Sequence, residues 1–145
     1  MTSFKVGDFQ TAQESMGGGR QVMEDSVRPI VDAGLAELVD GGYAIEDGIR
    51  IEPLPGHTPG HVCLRLSSGG REAVITGDMM HHALQVAYPE WSSIACYDAS
   101  ASTATRRRFL EQHADSGVLV LPAHFPLPAG GYVVEAGGGL RFRAA

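Results

Sequence analysis

The stretch Pro55-Gly56-His57-Thr58-Pro59-Gly60-His61 decides how this chain is read. Its Gly and Pro residues force the backbone to turn, so the two imidazoles project from a defined loop and not from the interior of a regular element. Immediately after it, Val62 to Leu66 runs Val-Cys-Leu-Arg-Leu, an alternating strand pattern. Immediately before it, Ile49 to Leu54 forms another apolar strand candidate. Side chains held on such loops by a rigid sheet can converge on one edge of a fold.

Working outward, two further runs end in the same way. Ala73 to Thr76 is a compact apolar strand that stops at Gly77-Asp78, and Val118 to Leu121 runs into Pro122-Ala123-His124-Phe125. The six histidines stand at 57, 61, 81, 82, 113 and 124, so none falls in the first 56 residues. Neutral imidazole and carboxylate are good Zn²⁺ ligands, and one carboxylate can bridge two ions. Taken singly, each site has an ordinary explanation: a histidine before a turn is usually structural, and an Asp after Gly at a strand end is often a cap. Their joint occurrence in this order points to a metal site.

The remaining chain supplies a layered framework. Phe4 to Phe9 reads as a short strand, and Thr11 to Arg20 has no period and contains Gly17-Gly18-Gly19. The spacing of Val27, Ile30, Val31 and Leu35 predicts a helix over Glu24 to Leu35, with Pro29 in its first turn and Asp25 or Ser26 as N-cap. Glu37 to Val39 and Tyr43 to Ile45 read as strands, divided from each other and from Ile49 by Asp-Gly turns. Ser102 to Asp115 is a second helix with Phe109 and Leu110 on its apolar side; Tyr132 to Glu135 and Leu140 to Phe142 close the chain as strands. This order predicts an α/β layered arrangement, a mixed sheet with helices on one face.

Composition narrows the functional classes. A chain of 145 residues with net charge −6 offers no basic field for nucleic acid or an anionic membrane. Arg106-Arg107-Arg108 is the one basic cluster and reads as a solvated helix face. The two cysteines form no C-x-x-C; Cys63 lies in an alternating run and reads as a small buried hydrophobe. No apolar run is long enough to span a bilayer, and Met1 to Gln10 has no signal-peptide core, so a cytoplasmic protein is expected. There is no Gly-x-Ser-x-Gly, and neither cysteine has an evident activating partner, which argues against a Ser or Cys nucleophile.

The succession Thr58-Pro59-Gly60-His61, Gly77-Asp78 and Ala123-His124-Phe125 resembles the last three metal motifs of the metallo-β-lactamase superfamily. The extended Pro-Gly-His-Thr-Pro-Gly-His and the final His-Phe-Pro are similar to the branch of N-acyl-homoserine lactonases and methyl-parathion-type organophosphate hydrolases. The similarity runs over roughly Ser26 to Arg143, which makes 26–145 a C-terminal half-domain of that fold (half of an αββα sandwich) and 1–25 a divergent N-terminal segment. The resemblance implies that His61 ligates one metal, Asp78 bridges two, and His124 ligates the other. It gives His57 a supporting or turn role, makes Asp78 and His81 the catalytic candidates, and has His81 orient substrate. His82, Gln85, Tyr88 and Trp91 would line the same region, with core packing the competing role for Trp91, and His113 would lie on the surface. The implied cofactor is zinc, one or two ions, or another divalent metal. The implied reaction is attack by a metal-bound hydroxide on a small-molecule ester, lactone or phosphotriester.

Members of that family also carry His-x-His-x-Asp-His upstream, and this sequence has no such run. Met1 to Gln10 resembles a relative's opening strand, and Thr11 to Glu24 stands where the motif-bearing stretch belongs. That reads as an internal deletion, a truncated product or an engineered half. Impaired metal binding is then expected, and so is a homodimer that covers the bare sheet face. The alternative is a non-catalytic remnant or dimerising module without metal.

Overall fold

Among the described residues, seven strands form one sheet in the order of the chain: β1 (Ala44–Glu46), β2 (Ile49–Pro53), β3 (Val62–Ser68), β4 (Arg71–Gly77), β5 (Leu119–Pro122), β6 (Gly131–Ala136) and β7 (Gly139–Ala144). Neighbours are antiparallel except β4 and β5, which run parallel. A parallel pair needs a crossover, and this one contains the short helix α3 (Leu84–Ala87) and the long helix α4 (Ala99–His113). The computed structural model describes residues 19–145, so the strand expected over Phe4 to Phe9 lies outside the described residues. Among those described, no helix is long and apolar enough to cross a membrane.

The strands expected from alternation are present, most extended by one or two residues. Glu37 to Val39 is the exception: it carries no strand pairing, and β1 begins only at Ala44. The first expected helix is a broken one. Helix α1 (Gly19–Val22), a π-helical turn (Met23–Val27) and α2 (Arg28–Asp32) follow one another, with Pro29 in the first turn of α2. Only Met23 of this segment's turn and second helix is buried; Ile30 and Val31 are exposed. Helix α4 starts at Ala99, ahead of the expected Ser102, because the Asp98 side chain caps it by accepting from the Ser100 and Ala101 amides.

One face of the sheet meets α4. Val74, Val120 and Val133 point into a core that Phe109 and Leu110 of α4 complete, with Met79, Met80, Val86 and Phe125 around them. Cys63 belongs to the same core, as expected, and burial pushes its thiol up to about 11. The opposite face is also apolar. The register aligns Ile51, Leu64, Ile75 and Leu121 across β2 to β5, with Leu66, Ala73 and Leu119 beside them. Ile75 sits in a central strand yet is 38% exposed, so β4 and β5 read as strands built to be buried on both faces.

Two side chains of α4 overturn their sequence readings. Arg107 and Arg108 are exposed as expected, but Arg106 has no solvent exposure. The inner face of α4 repeats through Ser102, Thr105, Arg106, Phe109, Leu110 and His113, so the helical period places Arg106 beneath the sheet. His113 is likewise buried, not a surface residue. Its ring stacks on Phe109 at 4.0 Å and its Nδ1–H donates to the Phe109 carbonyl at 2.7 Å. The unprotonated Nε2 then faces the Arg65 guanidinium at 3.4 Å, which also binds Glu52 and Glu72.

Burial first, and then Arg65, hold the His113 pKa below its ordinary value, against the opposing pull of the Phe109 carbonyl. The unfolded chain takes up that proton near pH ~6.5, before the folded chain does. The contribution of neutral His113 is therefore complete above about pH 6.5 and is lost as the pH falls toward the lower folded value. Denaturant melts at stepped pH should show this loss, and His113→Asn, which keeps a donor for Phe109, should flatten the slope below about pH 6.5. An unchanged slope would contradict the assignment.

Candidate metal centre

The ligand-bearing loops meet at the C-terminal ends of β4 and β5. The loop between β2 and β3 is pressed against the start of α4: Gly56 accepts from the Asp98 amide at 3.1 Å and His57 from the Tyr97 amide at 2.9 Å, both through their carbonyls. Gly56 has φ +134, and a Cβ there would collide with Ser102 N and Cα. Only glycine lets His57 enter the site at this distance from the helix.

His61 is committed inside the protein at both nitrogens. Its Nδ1 lies 3.0 Å from the Leu54 carbonyl and its Nε2 3.0 Å from the Asp78 amide. A carbonyl only accepts and an amide only donates, so Nδ1 carries the proton and Nε2 receives the Asp78 N–H. Burial holds the His61 pKa below the usual value, partly opposed by the bond to Leu54, which agrees with a neutral ring. Gly77, with φ +54, leaves room for that ring: its missing Cβ would lie 3.0 Å from His61 Nε2. His61 thus fixes the backbone of Asp78 from behind.

The Asp78 carboxylate spans two other histidines. Oδ2 lies 3.3 Å from His57 Nε2, and Oδ1 lies 2.9 Å from His124 Nε2. His81 sits between them, its ring 5.2 Å from that of His57 and stacked on that of His124 at 4.9 Å. The ligand atoms of His57, Asp78 and His81 all lie within 4.8 Å of one another. His81 Nδ1 is buried without a hydrogen-bond partner. Burial, followed by His57 and His124, lowers the His81 pKa. The structure therefore gathers Asp78, His81 and His124, as the sequence led one to expect. It exchanges the other two histidines: His57 faces the carboxylate, and His61 faces away with no free nitrogen.

The flanking residues sort as follows. Gln85 is buried and accepts the His81 and His82 amides through Oε1 at 2.6 and 3.2 Å, while its Nε2 donates to the Trp91 carbonyl at 2.5 Å. The His82 ring is exposed and accepts from the Leu84 amide. Trp91 is no core residue: it is 53% exposed and stacks on Tyr88 at 4.7 Å. Sequence reasoning missed Cys96, whose Sγ lies 3.9 Å from His57 Nδ1 and 3.6 Å from Ser102 Oγ. A cavity of about 1040 Å³ opens around Gly48, Gly70 and Gly117, and none of these histidines lines it.

A sheet with a helix on one face and a His/Asp cluster at its strand ends is an α/β arrangement whose side chains are of the kinds that can hold a metal ion. The sequence pattern of the metallo-beta-lactamase superfamily matches residues 7–124, and the chain belongs to that superfamily. Its fold is similar to the hydrolase AbOPH of the beta lactamase superfamily, with TM-score 0.82 and 23% identity over 94% of this chain and 47% of that one. It is similar to AidC, a dizinc quorum-quenching lactonase, with TM-score 0.75 and 23% identity over 98% of this chain and 50% of that one. A probable metal-dependent hydrolase from Staphylococcus aureus matches with TM-score 0.62 and 19% identity, over 78% and 41% of the two chains. The chain thus spans about half the length of the first two structures. No curated protein matches it by sequence.

The hydrogen bonds of His61 make a direct prediction. Nitrogen NMR of the metal-free chain should show His61 as the Nδ1–H tautomer, with Nε2 shifted as an unprotonated acceptor. A proton on Nε2 would contradict the described geometry.

Proposed function

We propose that the chain is a metal-dependent hydrolase acting on a small ester, lactone or phosphotriester, with His57, Asp78 and His124 as its metal ligands. One observation carries this: a single carboxylate whose two oxygens are each faced by a different imidazole nitrogen. The pair formed by His57 and Asp78 fits such a metal, while His124 Nε2 stands closer to the carboxylate, at 2.9 Å. Two ligands about 2.0–2.1 Å from a tetrahedral Zn²⁺ stand roughly 3.3–3.4 Å apart, and Asp78 Oδ2 to His57 Nε2 is 3.3 Å. When bound, zinc or another divalent ion supplies Lewis acidity and lowers the pKa of water.

The chain's own residues do the rest. His61 holds the Asp78 amide and so aims the carboxylate. His81, its Nδ1 unsatisfied and its ring beside those of His57 and His124, orients the substrate or its leaving group. The exposed Tyr88–Trp91 stack, tied to His81 through Gln85, forms a wall for the apolar part of a substrate. The likeness to a dizinc lactonase and to a hydrolase supports this choice of substrate class. The second reading, a non-catalytic module, rests on the absence of any histidine before His57, which leaves the family's His-x-His-x-Asp-His without a counterpart in this sequence.

The test is hydrolysis of a panel holding an aryl ester, an acyl-homoserine lactone and an aryl phosphotriester, with added zinc and with chelator. Zinc-dependent turnover that chelator abolishes and Asp78→Ala removes is the expected result. No turnover on any member would favour the non-catalytic module. His57→Ala should lower bound zinc, whereas His81→Ala should leave zinc bound and cut turnover by about 10²–10⁴-fold. Zinc lost in His81→Ala would move that residue into the ligand set.

We also propose that a second copy of the chain covers the apolar sheet face through Ile51, Leu64, Ile75 and Leu121. Light scattering should find a dimer that Ile75→Glu dissociates; a monomeric wild-type chain at micromolar concentration would refute the pairing.

A further inference from the structure

Among the described residues, Arg106 is the bulkiest side chain without solvent exposure, and no carboxylate there pairs with it. Burying a guanidinium without a counter-charge is expensive, and Met or Leu would fill the same space at less cost. Its partners are almost all backbone oxygens. Nε donates to the Met79 carbonyl at 3.2 Å, and Nη1 donates to the carbonyls of Pro89 and, at 3.3 Å, Trp91. Nη2 donates to Ser102 Oγ at 2.9 Å.

Each of these contacts leads to the site. Met79 directly follows Asp78. Pro89 and Trp91 close the far end of the segment that carries His81, and Gln85 joins the same Trp91 carbonyl to the His81 amide. Ser102 Oγ touches Cys96 Sγ, which in turn reaches His57 Nδ1. The segment that carries Asp78 and His81 is therefore tied to α4 directly by the guanidinium, and the outer nitrogen of His57 is reached indirectly, through Ser102 and the Cys96 thiol.

Resting on the metal-binding reading above, we propose that Arg106 is a positioning residue for the centre: it anchors the Asp78–Trp91 segment directly and the His57 ring through Ser102 and Cys96. The residues around a metal ligand's outer nitrogen set its orientation, and losing them commonly costs ~10–100-fold in metal affinity.

The experiment compares Arg106→Gln with Leu110→Ala. Leu110 is buried on the same helix and its side chain has no group that can join these hydrogen bonds, so it controls for lost stability. Three readouts are taken: zinc affinity by competition with a chromophoric chelator, the visible spectrum of the cobalt-loaded chain, and the His57 and His81 ring NMR signals of the metal-free chain. Arg106→Gln should weaken zinc by ~10–100-fold, alter the cobalt spectrum and shift both ring signals. Leu110→Ala should lower the melting temperature and leave all three in place. Equal changes in the two variants would overturn the proposal by reducing Arg106 to a packing role. If Arg106→Gln does not fold, Ser102→Ala and Cys96→Ala test the His57 branch, and unchanged His57 signals in both would overturn it. A wild-type chain that takes up neither zinc nor cobalt would overturn the metal reading, while the ring signals would still decide whether Arg106 positions the cluster.

Discussion

His61 stands between the Leu54 carbonyl and the Asp78 amide and bonds to both, and the site depends on that bridge. One bond pins the loop before β3; the other pins the turn after β4. The ring needs a glycine at 77 to fit, and its neutral tautomer is set by partners that can act only one way. The second bond holds the backbone from which the Asp78 carboxylate reaches His57 and His124. Gly56, a second point of close approach, sets His57 against α4. These are short-range steric and hydrogen-bonding requirements, and together they account for Gly56, His61 and Gly77 without reference to a metal.

Beneath the site the helix does more than cover a sheet. On the inner face of α4, Phe109 and Leu110 close the core in the second half with His113 beside them, while in the first half Arg106 and Ser102 contact the loops. The other sheet face is left as a second apolar surface, in a chain that spans about half the length of the structures it is similar to. The sheet thus has one face committed to its own helix and another suited to a second apolar layer, and the histidine cluster sits at the strand ends where the two layers would meet.

Much of this was legible in the sequence. Alternation found β3, compact apolar runs found β4 and β5, and turn signals between short apolar stretches marked β2, β6 and β7. Short motifs at strand ends located Asp78, His81 and His124 together. The failures have physical causes. His57 and His61 occupy equivalent-looking places in one motif, and which ring faces outward is decided by bonds to Leu54 and Asp78 that local spacing does not reveal. Arg106 and His113 were misread because residue type was weighed above helical phase, although both fall on the stripe that Phe109 and Leu110 define. Cys96 lies in a segment without periodicity, and only the folded loop brings its sulfur to His57. The early start of α4 was hidden because Ala99, Ser100 and Ala101 show no apolar period, although Asp98 before them is a strong cap.

The claim on which the functional account stands is that the cluster around Asp78 holds a metal with the ligands one chain provides. Elemental analysis of the purified chain after incubation with excess zinc and exhaustive dialysis tests it most directly. The account predicts about one or two zinc ions per chain, absent from Asp78→Ala. No retained zinc in the folded wild-type chain would contradict it.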